Sequence, residues 1–143
     1  MLTGELGQGN TNIYNNYVEV EIEGLDLNTV DIEKIEMSIG TMCDSVIIKC
    51  SNGKVYGCGY NRYGGLGIGN NVHQTKFINL DELDNTWYNA KDIINTGVTT
   101  YVLQQDGTLY GCGYNTEGAL GLGDTSHRNR LTKITENVLD MEL

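Results

Sequence analysis

Three carboxylates alternate with apolar residues in Val18-Glu19-Val20-Glu21-Ile22-Glu23. As a β-strand, this order puts Val18, Val20 and Ile22 on one face. Glu19, Glu21 and Glu23 then share the other, roughly 7 Å apart. Carboxylates that close repel unless they meet solvent or cations. The row therefore suits a solvated edge strand whose charge discourages aggregation, or a contact for an Arg- or Lys-rich protein surface. The edge strand is the simpler reading; the contact is the best functional candidate in the chain. A second group is Tyr60, Arg62, Tyr63 and Tyr114, which flank glycine-rich runs. Tyrosine and arginine are favoured anchors of protein interfaces, and Arg62 with Tyr63 is the candidate pair. Tyr56 and Tyr110, inside strand-like runs, read as core.

The remaining reactive side chains do not assemble into a catalytic pattern. His73 and His127 lie 54 residues apart, at equivalent points of a repeat described below. That equivalence points to a structural hydrogen bond at a turn. Cys43, Cys50, Cys58 and Cys112 contain no Cys-x-x-Cys pair, so neither a zinc site nor a redox motif is expected. Cys58 and Cys112 have no adjacent His or Lys to lower the thiol pKa, so they read as reduced structural thiols. Neither a Gly-x-Ser-x-Gly elbow nor a Gly-x-x-x-x-Gly-Lys-Ser/Thr phosphate loop occurs. The expectation is a non-enzymatic protein without metal or cofactor.

Charge narrows the partners. The 143 residues carry 19 acids and 9 bases, a net charge of −10. Residues 1–44 hold nine of the acids and one base, and so account for −8 of it. Such a chain is expected to bind neither nucleic acid nor an anionic membrane, which require a basic footprint. No apolar run is long enough for a transmembrane helix. Residues 1–20 contain no base and no apolar signal-peptide core, so a cytoplasmic protein is expected. A fragment of an exported protein would read the same.

The strongest signal is internal repetition. Residues 53–61, GKVYGCGYN, match residues 107–115, GTLYGCGYN, at seven of nine positions. The likeness continues through Gly57, Gly59, Asn61, Gly64, Leu66, Gly67 and Gly69, which correspond to Gly111, Gly113, Asn115, Gly118, Leu120, Gly121 and Gly123. A third Gly-x-Leu-Gly-x-Gly opens the chain at Gly4, Leu6, Gly7 and Gly9. Each full unit reads as four short strands. In the first these are Glu33–Ile39, Ser45–Cys50, Lys54–Tyr60 and Lys76–Leu80. In the second they are Asp92–Asn95, Tyr101–Gln105, Thr108–Tyr114 and Arg130–Ile134. Asn52-Gly53 and Asp106-Gly107 mark the central hairpins. Asn79–Tyr88 reads as a connector. A period near 54 with four strands predicts β-propeller blades, with the motif leucine filling the space between neighbours.

The run Val55-Tyr56-Gly57-Cys58-Gly59-Tyr60-Asn61-Arg62-Tyr63-Gly64-Gly65-Leu66-Gly67-Ile68-Gly69 resembles the signature of the regulator-of-chromosome-condensation repeat, and Tyr110–Gly123 resembles it equally. Cys58 and Cys112 stand where that family usually has Trp, Gly65 and Ala119 where Gln is usual, and the usual Pro after the loop is absent. The resemblance implies an all-β propeller of about seven blades, each of four antiparallel strands. This chain would then supply an open array of about 2.5 blades. Its expected divisions are residues 1–29 as the tail of a preceding blade, 30–89 as one blade, and 90–143 as a second blade with a connector. An array that starts and stops out of phase leaves strand edges open. Two remedies are expected, a larger propeller or a homo-oligomer in which copies complete one another.

Three functional readings follow. The first is a protein-interaction module that uses its loops and the acidic strand. The second is a small acidic inhibitor of microbial or viral type that mimics nucleic acid and blocks a basic partner. The third, by family analogy alone, is guanine-nucleotide exchange.

Overall fold

The computed structural model describes residues 4–38 and 43–142. It contains two antiparallel four-stranded sheets, each in simple chain order. The first is β1 (Ile32–Met37), β2 (Ser45–Cys50), β3 (Val55–Gly59) and β4 (Gln74–Asn79). The second is β5 (Asp92–Asn95), β6 (Thr99–Leu103), β7 (Leu109–Gly113) and β8 (Arg128–Thr135). These are two blades of an open β-propeller, as the repeat grammar predicts. The expected strands shift by a residue or two at most ends, and Ile39 lies outside the described residues. The expected connector holds a short helix, α1 (Leu80–Leu83), and a 3-10 turn at Asn85–Trp87. Among the described residues, no helix is long and apolar enough to cross a membrane.

Local chemistry sets each hairpin. Asn52 accepts a hydrogen bond from the Lys54 amide (3.1 Å), and Asp106 accepts one from the Thr108 amide (2.9 Å). The glycine between them takes a positive φ, +86° at Gly53 and +85° at Gly107, which a side chain would resist.

Strand alternation then gives each blade two distinct faces. The forward face of the first blade carries Ile47, Val55, Leu66, Ile68 and Leu80. It packs on Ile93, Val102 and Cys112 of the second blade, with Trp87 from the connector in the same core. Leu66 is thus the inter-blade plug that its spacing predicts, with no exposed surface. Trp87 places its indole in the same core as Cys112. The rear face, Ile48, Cys50 and Tyr56, is covered by Ile22, Leu25, Val30 and Phe77. At the outer end of the pair this sealing stops. Ile47, Val55, Ile68 and Leu80 are at most 8% exposed. Their equivalents 54 residues on, Tyr101, Leu109, Leu122 and Ile134, are only half-buried.

Polar contacts reinforce the joint. Lys34 on β1 reaches Asp92 on β5 (2.5 Å), the Ile93 carbonyl (2.9 Å) and Glu36 (3.1 Å). Burial alone would lower the Lys34 pKa. Hydrogen bonds to Asp92 and Glu36, with the charges of those carboxylates, outweigh it and raise the pKa above the ordinary lysine value. Asn95 donates to the Ser45 hydroxyl across the same joint (2.9 Å).

Residues 18–23 correct an expectation. They form no strand among the described residues. Val18 is 38% exposed, and Val20 and Ile22 are half-buried rather than sealed on a face. Alternation describes which side chains a strand would bury. A strand also needs a neighbour to pair its amides and carbonyls, and the described residues supply no ladder here.

Candidate functional site

The glycine-rich loops are docking devices between blades. Gly64 lies so close to the next blade that a Cβ on it would sit 2.4 Å from the Asn129 Cα. The Gly69 amide donates to the Asn129 carbonyl (2.7 Å), and Ile68 bridges Arg130. The Cys112 thiol donates to the Gly65 carbonyl (3.4 Å). Every one of these contacts has a twin at the opening copy. A Cβ on Gly4 would lie 2.5 Å from the Thr75 Cα, the Gly9 amide reaches the Thr75 carbonyl (2.7 Å), Gln8 bridges Lys76, and the Cys58 thiol reaches the Glu5 carbonyl (3.4 Å). One leucine departs: Leu6 is 45% exposed, whereas Leu66 and Leu120 are buried. The loop at Gly118–Gly123 packs on no such strand among the described residues. A Cβ on Gly118 or Gly121 would find no atom closer than 3.8 Å, and one on Gly123 would stand in open space.

Each full loop is clamped by a buried asparagine. The Asn61 amide group donates to the Asn70 and Val72 carbonyls (3.0 and 3.1 Å), and its oxygen accepts from the Leu66 amide (3.0 Å). Asn115 repeats the pattern with Asp124, Ser126 and Leu120. The histidines close the same turns, as their equivalence predicts. His73 Nδ1 accepts from the Asn61 amide (2.9 Å) and His127 Nδ1 from the Asn115 amide (3.0 Å). Nδ1 is therefore unprotonated in both, and Nε2 carries the proton. Burial, then the nearby Arg62 charge, lowers the His73 pKa and favours that neutral form.

These turns bring five rings together across the blade joint. Tyr60 stacks on His73 at 5.0 Å and Tyr114 on His127 at 5.1 Å. Tyr63 bridges them, 6.1 Å from Tyr60 and 4.9 Å from both Tyr114 and His127. Arg62 lies 6.0 Å from the centre of the Tyr63 ring. Burial and a hydrogen bond with Cys43 push the Tyr60 hydroxyl up to about 12, so it stays neutral. Beside Tyr63 opens a small cleft formed with Asn71, His127, Arg128, Asn129 and Arg130. Of the two candidate residues, Tyr63 borders this cleft and Arg62 lies against its ring. Arg128 and Arg130 are additions. Their repeat equivalents are Gln74 and Lys76 on β4, and only the docking of one blade's loop on the next blade's outer strand carries β8 to Tyr63.

Glu19, Glu21 and Glu23 lie elsewhere, exposed along the segment beside the rear face. With Val20, Ile22 and Leu25 they border an apolar groove of about 1060 Å³ over Ile35, Met37, Val46, Ile48 and Phe77. The thiols do not form a reactive centre. Cys50, Cys58 and Cys112 are buried, and burial pushes the Cys58 thiol up to about 12. Among the described residues, no three His, Cys, Asp or Glu come together as a metal site.

Comparison with known proteins agrees with this geometry. Residues 106–137, which include β7, its glycine-rich loop and β8, match the family model of the regulator of chromosome condensation (RCC1) repeat. The matched segment is similar to one RCC1 repeat. Residues 53–69 repeat the glycine-rich part of the matched copy, GKVYGCGYNRYGGLGIG against GTLYGCGYNTEGALGLG. One relative, the X-linked retinitis pigmentosa GTPase regulator homolog of Caenorhabditis elegans, is 26% identical over 102 residues, 71% of this chain and 7% of that protein. Among solved structures, human WBSCR16 aligns with a TM-score of 0.63 at 19% identity, over 93% of this chain and 32% of its own. Prp20p of Saccharomyces cerevisiae aligns at 0.61 and 18%, over 78% and 27%. The chain thus spans a third or less of each of these proteins, and its two blades share the fold of the two solved structures.

Proposed function

We propose that this chain is a protein-interaction module that binds through the Tyr63-centred face of its RCC1-like repeats. The observation that carries the reading is the five-ring cluster with Arg62. Tyrosine and arginine contribute disproportionately to interfaces, and here a rigid joint holds them beside an open cleft. The relatives' names are consistent with protein partners: a GTPase regulator homolog, Prp20p studied with Gsp1p and histones, and yeast RCC1 (Prp20) bound by Kap60. Nucleotide exchange would be a special case of the same reading, resting on those names alone. The nucleic-acid mimic rests on the −8 charge of residues 1–44 alone, whereas the ring face rests on a defined geometry.

Comparative affinity capture with quantified mass spectrometry tests the face. Tyr63→Ala is expected to lose most of the proteins that wild type enriches, while Leu139→Ala, at an exposed position far from the rings, retains them. Equal enrichment by Tyr63→Ala would refute this binding face.

The same module offers the half-buried forward face at Tyr101, Leu109, Leu122 and Ile134, and the apolar rear groove. Burial of both favours association of copies. Light scattering on a sizing column is expected to give a discrete multiple of 15.8 kDa. A strict monomer across concentration would remove self-association from the reading.

A further inference from the structure

We infer that the cleft between the two blades, walled by Tyr63, His127 and Arg130 and flanked by Arg62, takes a carboxylate-bearing peptide segment of a partner protein. This rests on the binding face proposed above and adds the chemistry of its partner.

All three arginines of the chain, Arg62, Arg128 and Arg130, gather around Tyr63, although the chain as a whole carries −10. Every other base is a lysine. One of the three is already neutralised: Arg128 holds Asp124 through two nitrogens, at 2.7 and 3.2 Å, and also donates to the Ser126 carbonyl. Those hydrogen bonds from Arg128 and the Ser126 amide keep the Asp124 pKa below the usual carboxylate range. Arg62 and Arg130 are exposed, and no carboxylate among the described residues pairs with either. Arg130 lies across Gly69, and Arg62 borders the Tyr63 ring, so both guanidinium groups are partly pre-positioned.

The remaining lining is polar: His127, whose Nδ1 accepts from the Asn115 amide, with Asn71, Asn129 and Thr132. Planar guanidinium groups bind carboxylates by paired, charge-assisted hydrogen bonds. The cleft volume, about 210 Å³, suits one or two side chains rather than a small-molecule ligand, whose pockets run from about 300 Å³ upward. A polyanionic nucleic acid would also meet the repulsion of the acidic residues 1–44, whereas a short acidic peptide need touch only the cleft.

The test is fluorescence anisotropy of a labelled oligoglutamate peptide at low ionic strength. Saturable binding that weakens with salt is expected, and Arg62→Ala with Arg130→Ala should weaken it about tenfold or more. Arg62→Lys with Arg130→Lys should recover only part, because charge returns without the paired geometry. Charge reversal at Glu19, Glu21 and Glu23 should leave binding as tight or tighter. If the paired alanine variant unfolds, Arg62→Ala alone, at an exposed side chain, is expected to weaken binding several-fold. The inference fails if no saturable binding occurs, or if the folded arginine variants bind like wild type. Should oligoglutamate fail while Tyr63→Ala still loses its protein partners, the face stands and the carboxylate assignment falls. The reverse result removes the face as a protein-binding surface.

Discussion

Gly64→Ala is expected to cost about 3–4 kcal/mol, and Gly118→Ala only about 1–2 kcal/mol, although the two residues are repeat equivalents. Both have positive φ, +84° and +72°, so each substitution carries a left-handed backbone cost of roughly 1–2 kcal/mol. Only Gly64 adds a clash, because its Cβ would meet the Asn129 Cα at 2.4 Å. The clash is with backbone, so relief requires the blades to move apart, at an overpacking cost of about 1–3 kcal/mol. At Gly118 the nearest atom is 3.8 Å away. Urea unfolding followed by fluorescence of Trp87, which is wholly buried in the inter-blade core, reads both variants directly. Equal losses would show that the loop does not dock tightly on β8.

Asn61→Ala should destabilise the fold by about 3 kcal/mol. The side chain has no exposed surface, and its removal leaves the Asn70 and Val72 carbonyls and the Leu66 amide without their partner. Buried groups left unpaired cost about 1–3 kcal/mol each, and partial access of water to the exposed Asn70–Val72 turn holds the sum below the maximum. Asn61→Asp separates shape from hydrogen bonding. It keeps the volume and the acceptor for Leu66, but turns a donor to two carbonyls into an oxygen. It should therefore be no better than alanine. A thermal melt in which Asn61→Asp matches wild type would overturn the clamp. Loss of this loop should also disturb Tyr63, two residues on, so partner binding should fall with stability.

Much of this architecture was legible in the residues. Seven identities in nine around Tyr-Gly-Cys-Gly-Tyr-Asn revealed the repeat, and Asn-Gly and Asp-Gly located both hairpins. These are local signals: turn chemistry and strand alternation act over a few neighbouring residues. The histidines were legible for a related reason. A side chain that recurs at the same place in each unit answers a need of the unit itself, and both accept the same amide.

The acidic row shows where local pattern fails. Val18–Glu23 has the alternation of a strand, yet pairing depends on a neighbour that the pattern does not describe. Arg128 and Arg130 fail in the opposite direction. Nothing near them in the chain marks a site, and they lie 66 and 68 residues from Arg62.

The sequence by itself determined the blade: its four strands, its hairpins, its glycine-rich loop and the leucine that fills the core. Those follow from backbone propensity and from which side chains avoid water. Only the tertiary structure decided how one blade meets the next. That meeting depends on the forward face of one sheet fitting the rear face of another, and on a glycine loop approaching β8 within contact distance. The docking carries Arg130 and His127 to Tyr63, and so it creates the cleft that neither repeat contains alone.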